Sequence, residues 1–448
     1  MSRTENRTLA ALTALSLVVL LAAGRFTPQV MPDTAGYLDL VGYPAMLAQQ
    51  RPPLYGWLVV TLDLFGRNHI AVPLFNIATY VAAVWLLVAQ LRRYGLSAAA
   101  ALSVGAALLF ANALLIDAGW VHPELLSITC GLVAVAATVA LAAEQPARWA
   151  WWTVGLGAAA SYVLRPSFLP LVAALPALYL VLRALRGDAL RVARAIAILL
   201  VTAAPFGAIA SLRAATVGDF NIVSFGGFAM SGLATLMLDD TVVARLPDDV
   251  KPYAAQVLAA RRAGEDSGRF IGIPRNSSEQ RSYYSAALAY FDVLARTYDN
   301  MLYDVITPTR GGSEPWVDFN RRLMRFSLAV VRAAPDRYAA WVAGAATRMV
   351  GRAITTNLPA MLALIVIALA WPWRLLVTRQ IGAAPRARLD VPVMAVLAVM
   401  WLLAAGLLTM LVIAPSTRYI ETSSVLVAPL LIYWAVLLVR PRGTPPAS

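Results

Sequence analysis

The chain has 448 residues, 60% of them apolar and only 14% charged, with a formal net charge of +13. That composition excludes an ordinary soluble domain and fits a polytopic membrane protein. The positive charge does not imply nucleic acid, because the arginines cluster in short segments between apolar runs, as orientation signals do. Cys130 is the single cysteine, which excludes an intramolecular disulfide and a cysteine-based metal site.

Arg3 and Arg7 precede an apolar run over 9–24. A charged start before a short apolar run also has the form of a secretory signal peptide. It is read here as a retained first span, because further spans follow. Apolar runs over 70–91, 96–115, 125–143, 149–164, 168–182 and 195–212 come next, and 358–373, 391–413 and 420–439 close the chain. The expectation is an all-α protein of about ten spans. It has three parts: an N-terminal membrane module over 1–212, an outer segment over 213–355, and C-terminal membrane helices over 356–448.

With the N-terminus inside, the short inner segments carry fifteen arginines and the short outer ones carry Arg25, Arg51, Arg67, Arg165 and Arg418. That bias places both termini in the cytoplasm and the 25–69 loop outside. Alanine- and arginine-rich usage with a single lysine suggests a bacterium with a GC-rich genome, and the expected location is its inner membrane.

Two outer regions are large enough to build a site. In 25–69, an amphipathic piece over 37–49 and a short apolar piece over 54–65 read as interfacial helices. In 213–355, a Gly-containing apolar stretch over 220–238 reads as a re-entrant or packed segment rather than an eleventh span. Helical patterning follows with Tyr283, Tyr284, Tyr290, Tyr298 and Tyr303, and Arg321, Arg322 and Arg325 form a basic face.

The chemistry-bearing candidates gather at the outer ends of the spans. Asp33 follows the first span and is either a reacting carboxylate or the N-cap of the helix after it. Arg51 precedes Pro52 and Pro53, a rigid corner, with Tyr55 beyond; a guanidinium there can bind a phosphate in two-pronged fashion or anchor to lipid headgroups. His122 and Glu124 open the fourth span near Asp117, where ionisable side chains must face the bundle or a polar cavity. Asp33, Asp117, His122 and Glu124 also have the oxygen and imidazole groups to hold a divalent cation.

The ordered set Pro32-Asp33, Tyr37, Arg51-Pro-Pro-Leu-Tyr55, His122-Pro-Glu124, the 162–167 run, the 334–338 run and Arg418-Tyr419 resembles the GT-C superfamily of integral membrane glycosyltransferases. That group includes protein O-mannosyltransferases and aminoarabinose transferases. The resemblance covers 1 to about 185 well, is thin around 330–345 and 416–440, and is absent from 213–320. It implies a GT-C fold and transfer of a sugar from a polyprenyl-phosphate donor to a hydroxyl acceptor (lipid, glycan or protein) at the outer face, with inversion and no cofactor. Asp33 would be the base, with Arg51, Tyr55 and Arg165 on the donor phosphate. Tyr37, His122, Glu124, Arg418 and Tyr419 would lie around the sugar or acceptor. A transporter or flippase for an envelope precursor is the alternative of another class, and an oligosaccharide ligase or polymerase is the alternative enzyme. Against transport, no repeat is visible and the charges sit at span ends.

Overall fold

The computed structural model describes residues 1–270, 297–378, 389–414 and 417–439. Among them the chain is all-helical, apart from one isolated parallel bridge between Gln29 and Trp120. Seven helical spans are long and apolar enough to cross a bilayer: Arg3–Ala22, Ala71–Tyr94, Ala98–Asp117, Glu124–Ala142, Pro166–Leu185, Val192–Val217 and Asp390–Val412. An eighth crossing comes from Pro335–Thr355 and Leu358–Trp371 if that pair, bent by 74°, is one span.

The difference from ten expected spans has physical causes. Trp149–Leu164 is a helix of 16 residues, about 24 Å at ~1.5 Å per residue against a hydrocarbon core of ~30 Å. The last apolar run is divided into Thr417–Ser424 and Ala428–Val439, and the 358–373 run follows the sharp bend at Asn357. Hydropathy detects an apolar run and is blind to a break within it.

Glu124–Ala142 is the central helix, with almost every residue buried. It is rich in alanine, and small side chains let neighbouring helices approach closely, the main source of packing energy within a bilayer. A Cβ on Gly157 would lie 3.0 Å from the Cys130 carbonyl oxygen, and one on Gly131 would lie 2.9 Å from the Trp401 ring. One continuous apolar core therefore joins the N-terminal helices to Asp390–Val412 and Ala428–Val439. The first and third expected parts share that core.

The outer segment has its own core around Gly226–Met237, which packs on Trp316–Ala333. A Cβ on Gly227 would stand 2.0 Å from the Asn320 carbonyl oxygen, so only glycine allows this approach. The 220–238 stretch is thus a packed interior helix rather than a span. Two buried arginines finish it: Arg261 Nη1 donates to the carbonyls of Thr235 (2.8 Å) and Leu238 (2.9 Å), and Arg337 donates to Met237 O and Asp239. These guanidiniums satisfy carbonyls that the helix end leaves without partners.

The first outer loop is less helical than its pattern suggests. Thr34–Leu38 and a 3-10 turn at Ala45–Ala48 replace a single amphipathic helix, while Leu54–Asp63 forms as expected. Leu54, Trp57, Val60, Leu64 and Phe65 stay exposed along that second piece, a surface suited to the membrane interface.

Candidate active site

Two loops are joined to make the site. Gln29 N donates to Gly119 O (2.7 Å), Val121 N donates to Gln29 O (3.0 Å), and the Thr34 hydroxyl donates to Val121 O (2.9 Å). These bonds fasten the 25–34 strand of chain to the 119–122 turn. A Cβ on Gly119 would meet the Thr27 carbonyl oxygen at 2.9 Å. The second clamp is Gly56, whose absent Cβ would lie 2.3 Å from Tyr37 O, so Leu54–Asp63 rests directly on Thr34–Leu38. Together they bring Asp33, Arg51 and His122 to one place although 89 positions separate the first from the last.

Asp33 does not cap the following helix: its backbone is helical and its carboxylate makes no capping bond. It accepts instead from Arg51 Nη2 at 3.2 Å, and its other oxygen lies 3.9 Å from His122 Nε2. The Arg51 guanidinium sits between two rings, 5.1 Å from the centroid of Tyr37 and 5.1 Å from that of Phe225. Such stacking fixes the plane of the cation and leaves its edges for oxygen ligands. Tyr37 is also edge-on to His122 (5.1 Å) and to Tyr55 (5.8 Å). The Tyr55 hydroxyl is buried near the His122 backbone, and burial pushes its ionisation well above the usual phenol range.

The second half of the site is a buried charge chain. Glu124 is fully buried and paired with Arg165, which is 8% exposed and also donates through Nε to Ser167 Oγ at 3.1 Å. The short Trp149–Leu164 helix explains why Arg165 is inside the protein and not among headgroups. Glu124 also accepts from the Thr422 hydroxyl at 2.6 Å, tying the last membrane segment to the central helix. The Glu124 amide donates to His122 Nδ1 at 3.3 Å. His122 thus lies between two carboxylates, its Nδ1 3.7 Å from Glu124 and its Nε2 facing Asp33. Tyr419 lies 5.0 Å from the Arg165 guanidinium.

The expected residues Asp33, Tyr37, Arg51, Tyr55, His122, Glu124, Arg165 and Tyr419 are therefore neighbours. The Arg418 side chain lies outside the described residues, as do Tyr283, Tyr284 and Tyr290. Tyr298 is committed to the outer core, its hydroxyl donating to Ala229 O (2.6 Å). Tyr303 is at the site: desolvation and then the Asp33 carboxylate raise its hydroxyl above its ordinary range. Arg337 of the 334–338 run is committed to Met237 O and Asp239 in the outer core. Arg321, Arg322 and Arg325 are each paired, with Asp318, Glu314 and Asp249, so the basic face is neutralised. Asp63 holds His69 through Nδ1 at 2.9 Å. Among the described residues no group of three His, Cys, Asp or Glu side chains converges as for a metal ion.

Phe225, Thr422 and Tyr303 were not singled out as site residues from the sequence. Thr422 is three residues after Tyr419 on one helix, a spacing that puts both on one face and could have flagged it. Phe225 gave no signal, because it reaches Arg51 only through the folding of the outer segment. There Ser224, its neighbour, accepts from Arg213 Nη2 at 2.6 Å.

A cavity of about 800 Å³ lies at the opposite end of the bundle, beside Tyr94, Ala143 and Leu185. Its arginines serve carbonyls there, Arg186 that of Tyr94 (2.8 Å) and Arg93 that of Gln145 (2.9 Å).

No protein-family model and no curated protein matches the chain. Two solved structures are similar: the crystal structures of ArnT from Cupriavidus metallidurans bound to undecaprenyl phosphate and in the apo state. The match covers 96% of this chain and 77% of each of theirs, at 15% and 14% identity and a TM-score of 0.36. A likeness at that score carries no weight for function, which is argued below from the site.

Proposed function

We propose that the protein is a GT-C type membrane glycosyltransferase that moves a sugar from a polyprenyl-phosphate donor to a hydroxyl acceptor at the outer face of a bacterial inner membrane. The observation that carries this reading is the Asp33–Arg51 contact, with the guanidinium held between Tyr37 and Phe225 where two clamped loops meet.

The acceptor oxygen attacks the anomeric carbon as the bond from that carbon to the phosphate oxygen breaks. The hydroxyl proton passes to Asp33, and the bonding electrons leave with the polyprenyl phosphate. Attack from the face opposite the leaving group inverts the centre. A positioned carboxylate base contributes about 10²- to 10⁴-fold. The phosphate is already a good leaving group, so what it needs is fixed positive charge where charge develops. Arg51 supplies it, exchanging its contact with Asp33 for phosphate oxygens when the donor enters. His122 presents Nε2 beside the same carboxylate, where it can donate a hydrogen bond. Glu124 and Arg165 form a nearly neutral buried pair that holds the floor of the site. Their pairing makes Arg165 a secondary phosphate ligand at most, with Tyr419 and Arg418 at the rim.

The test is to purify the protein in mild detergent, identify co-purifying polyprenyl-phosphate sugars by mass spectrometry, and repeat with Arg51→Ala. The reading expects a lipid monophosphate sugar on the native protein and its loss from the folded variant. A pyrophosphate-linked oligosaccharide in its place would favour a ligase or polymerase, and equal occupancy in Arg51→Ala would remove the phosphate anchor.

A further inference from the structure

Helix Thr417–Ser424 has a second polar contact directed away from the Asp33 cluster. Tyr419 and Thr422 serve Arg165 and Glu124, whereas Glu421 accepts from Asn112 Nδ2 at 3.3 Å. The same amide donates to the Thr356 carbonyl at the bend before Leu358. Among the described residues no cation pairs with Glu421. An unneutralised carboxyl near the outer end of an apolar run is costly there and marks a functional position.

Two residues from Asn112 and two from Thr356, an apolar groove begins. Phe110 and Leu358 stand at that end, and the groove of about 690 Å³ runs on past Ala106, Ala363, Val366 and Ala435. Where Ala106, Ala363 and Ala435 stand on the helices Ala98–Leu109, Leu358–Thr378 and Ala428–Val439, their small side chains leave an apolar depression between larger neighbours, in which a hydrocarbon chain can lie. A carboxyl and an amide at one end of a hydrocarbon slot make an amphiphile site with a chosen headgroup. Glu421 would repel a phosphate and accept a hydrogen bond from a hydroxyl.

We propose that this groove binds the chain of a lipid whose head is uncharged and hydroxylic, with the head hydrogen-bonded to Glu421 and Asn112. Its head then lies one helix away from the Asp33 cluster, which makes that lipid the sugar acceptor. The acceptor role rests on the transferase reading, whereas the lipid site does not. The polyprenyl-phosphate donor is excluded from the groove by the charge of Glu421.

The probes are two photoactivatable lipids with the same diazirine-bearing acyl chains, a diacylglycerol and the phosphatidic acid that differs from it by the phosphate. Each is incorporated into phosphatidylcholine vesicles holding the full-length protein, and labelled peptides are mapped by mass spectrometry. Labelling of the groove should favour the diacylglycerol by about tenfold, the scale of discrimination a like charge at a polar contact provides. Glu421→Gln, which keeps the shape, should bring the two probes close to equal, and Ala435→Phe should reduce groove labelling by the diacylglycerol. Equal labelling of the native protein, or a preference that Glu421→Gln leaves intact, would mean annular lipid only and overturn the site. Because the readout is labelling, that failure leaves the Asp33 chemistry standing. Failure of the Asp33 chemistry would remove only the acceptor role.

Discussion

Arg51 is the residue on which the site geometry turns, because it meets a carboxylate and two aromatic faces at once. A lysine in its place would keep the charge and lose the planar fork and the stacking. Arg51→Lys is therefore expected to raise the KM for donor by about tenfold or more, since a mispositioned cation loses two-pronged phosphate contact. A steady-state titration of donor checks it, and an unchanged KM would mean that charge alone suffices. Phe225→Leu should produce a smaller rise in the same constant. Asp33 and Arg51 were legible in the sequence because polar residues beside a first span, with a Pro-Pro corner between, stand out against apolar surroundings. Phe225 was not legible: nothing local marks an aromatic residue that reaches its partner across more than 170 positions.

At the scale of elements, buried pairs join helices distant in sequence. Glu124 links the central helix to Arg165 and to Thr422, so removing its charge strands a guanidinium that is almost wholly inside the protein. Glu124→Ala should destabilise the fold by about 3–5 kcal/mol, read as a lower melting temperature in detergent, and Glu124→Gln should cost less. The outer segment depends on Asp239 and Arg337 in the same way, at 2.6 Å and with both side chains buried. Desolvation opposes the Asp239 charge, but hydrogen bonds from Thr241, Arg337 and the Val242 amide outweigh it and hold this carboxyl below its usual range. A lowered folded value means that the pair stabilises fully above the ordinary carboxylate range and is lost as pH falls through the folded value. Limited proteolysis of the outer segment should accelerate below about pH 4. Asp239→Asn should flatten that dependence; an acid transition unchanged in this variant would assign it to other carboxylates. The hydropathy runs marked these helices but not their joints. The break at Asn357 and the division of the last run arise from packing around Asn112, Ser424 and Glu421, which no periodicity shows.

The whole molecule is a membrane bundle with an outer cap whose Phe225 reaches down onto the first loop. Its orientation is a proposal from charge bias, which would put the site outside. A single native cysteine makes that orientation straightforward to test. Val30→Cys, 69% exposed in the first loop, should react with a membrane-impermeant maleimide added to intact cells, and a cysteine at Glu144 should react only after lysis. The reverse pattern would invert the topology and put Asp33 on the side away from the proposed donor. The sequence legibly carried the all-helical class and the two loops whose candidate residues the fold brings together, and it separated 220–238 from the spans, although it read that stretch as re-entrant or at the surface and the structure buries it. It did not carry the shared core of the first and last membrane parts, because that core forms between helices more than 200 residues apart.

The central claim is that Asp33 takes the acceptor proton, and single-turnover transfer by Asp33→Asn with donor already bound tests it most directly. The substitution removes the proton acceptor while retaining size and hydrogen-bonding capacity. The account predicts a folded protein that still holds the lipid-phosphate sugar and transfers it about 10²- to 10⁴-fold more slowly. Transfer by the folded variant at the native rate would contradict it.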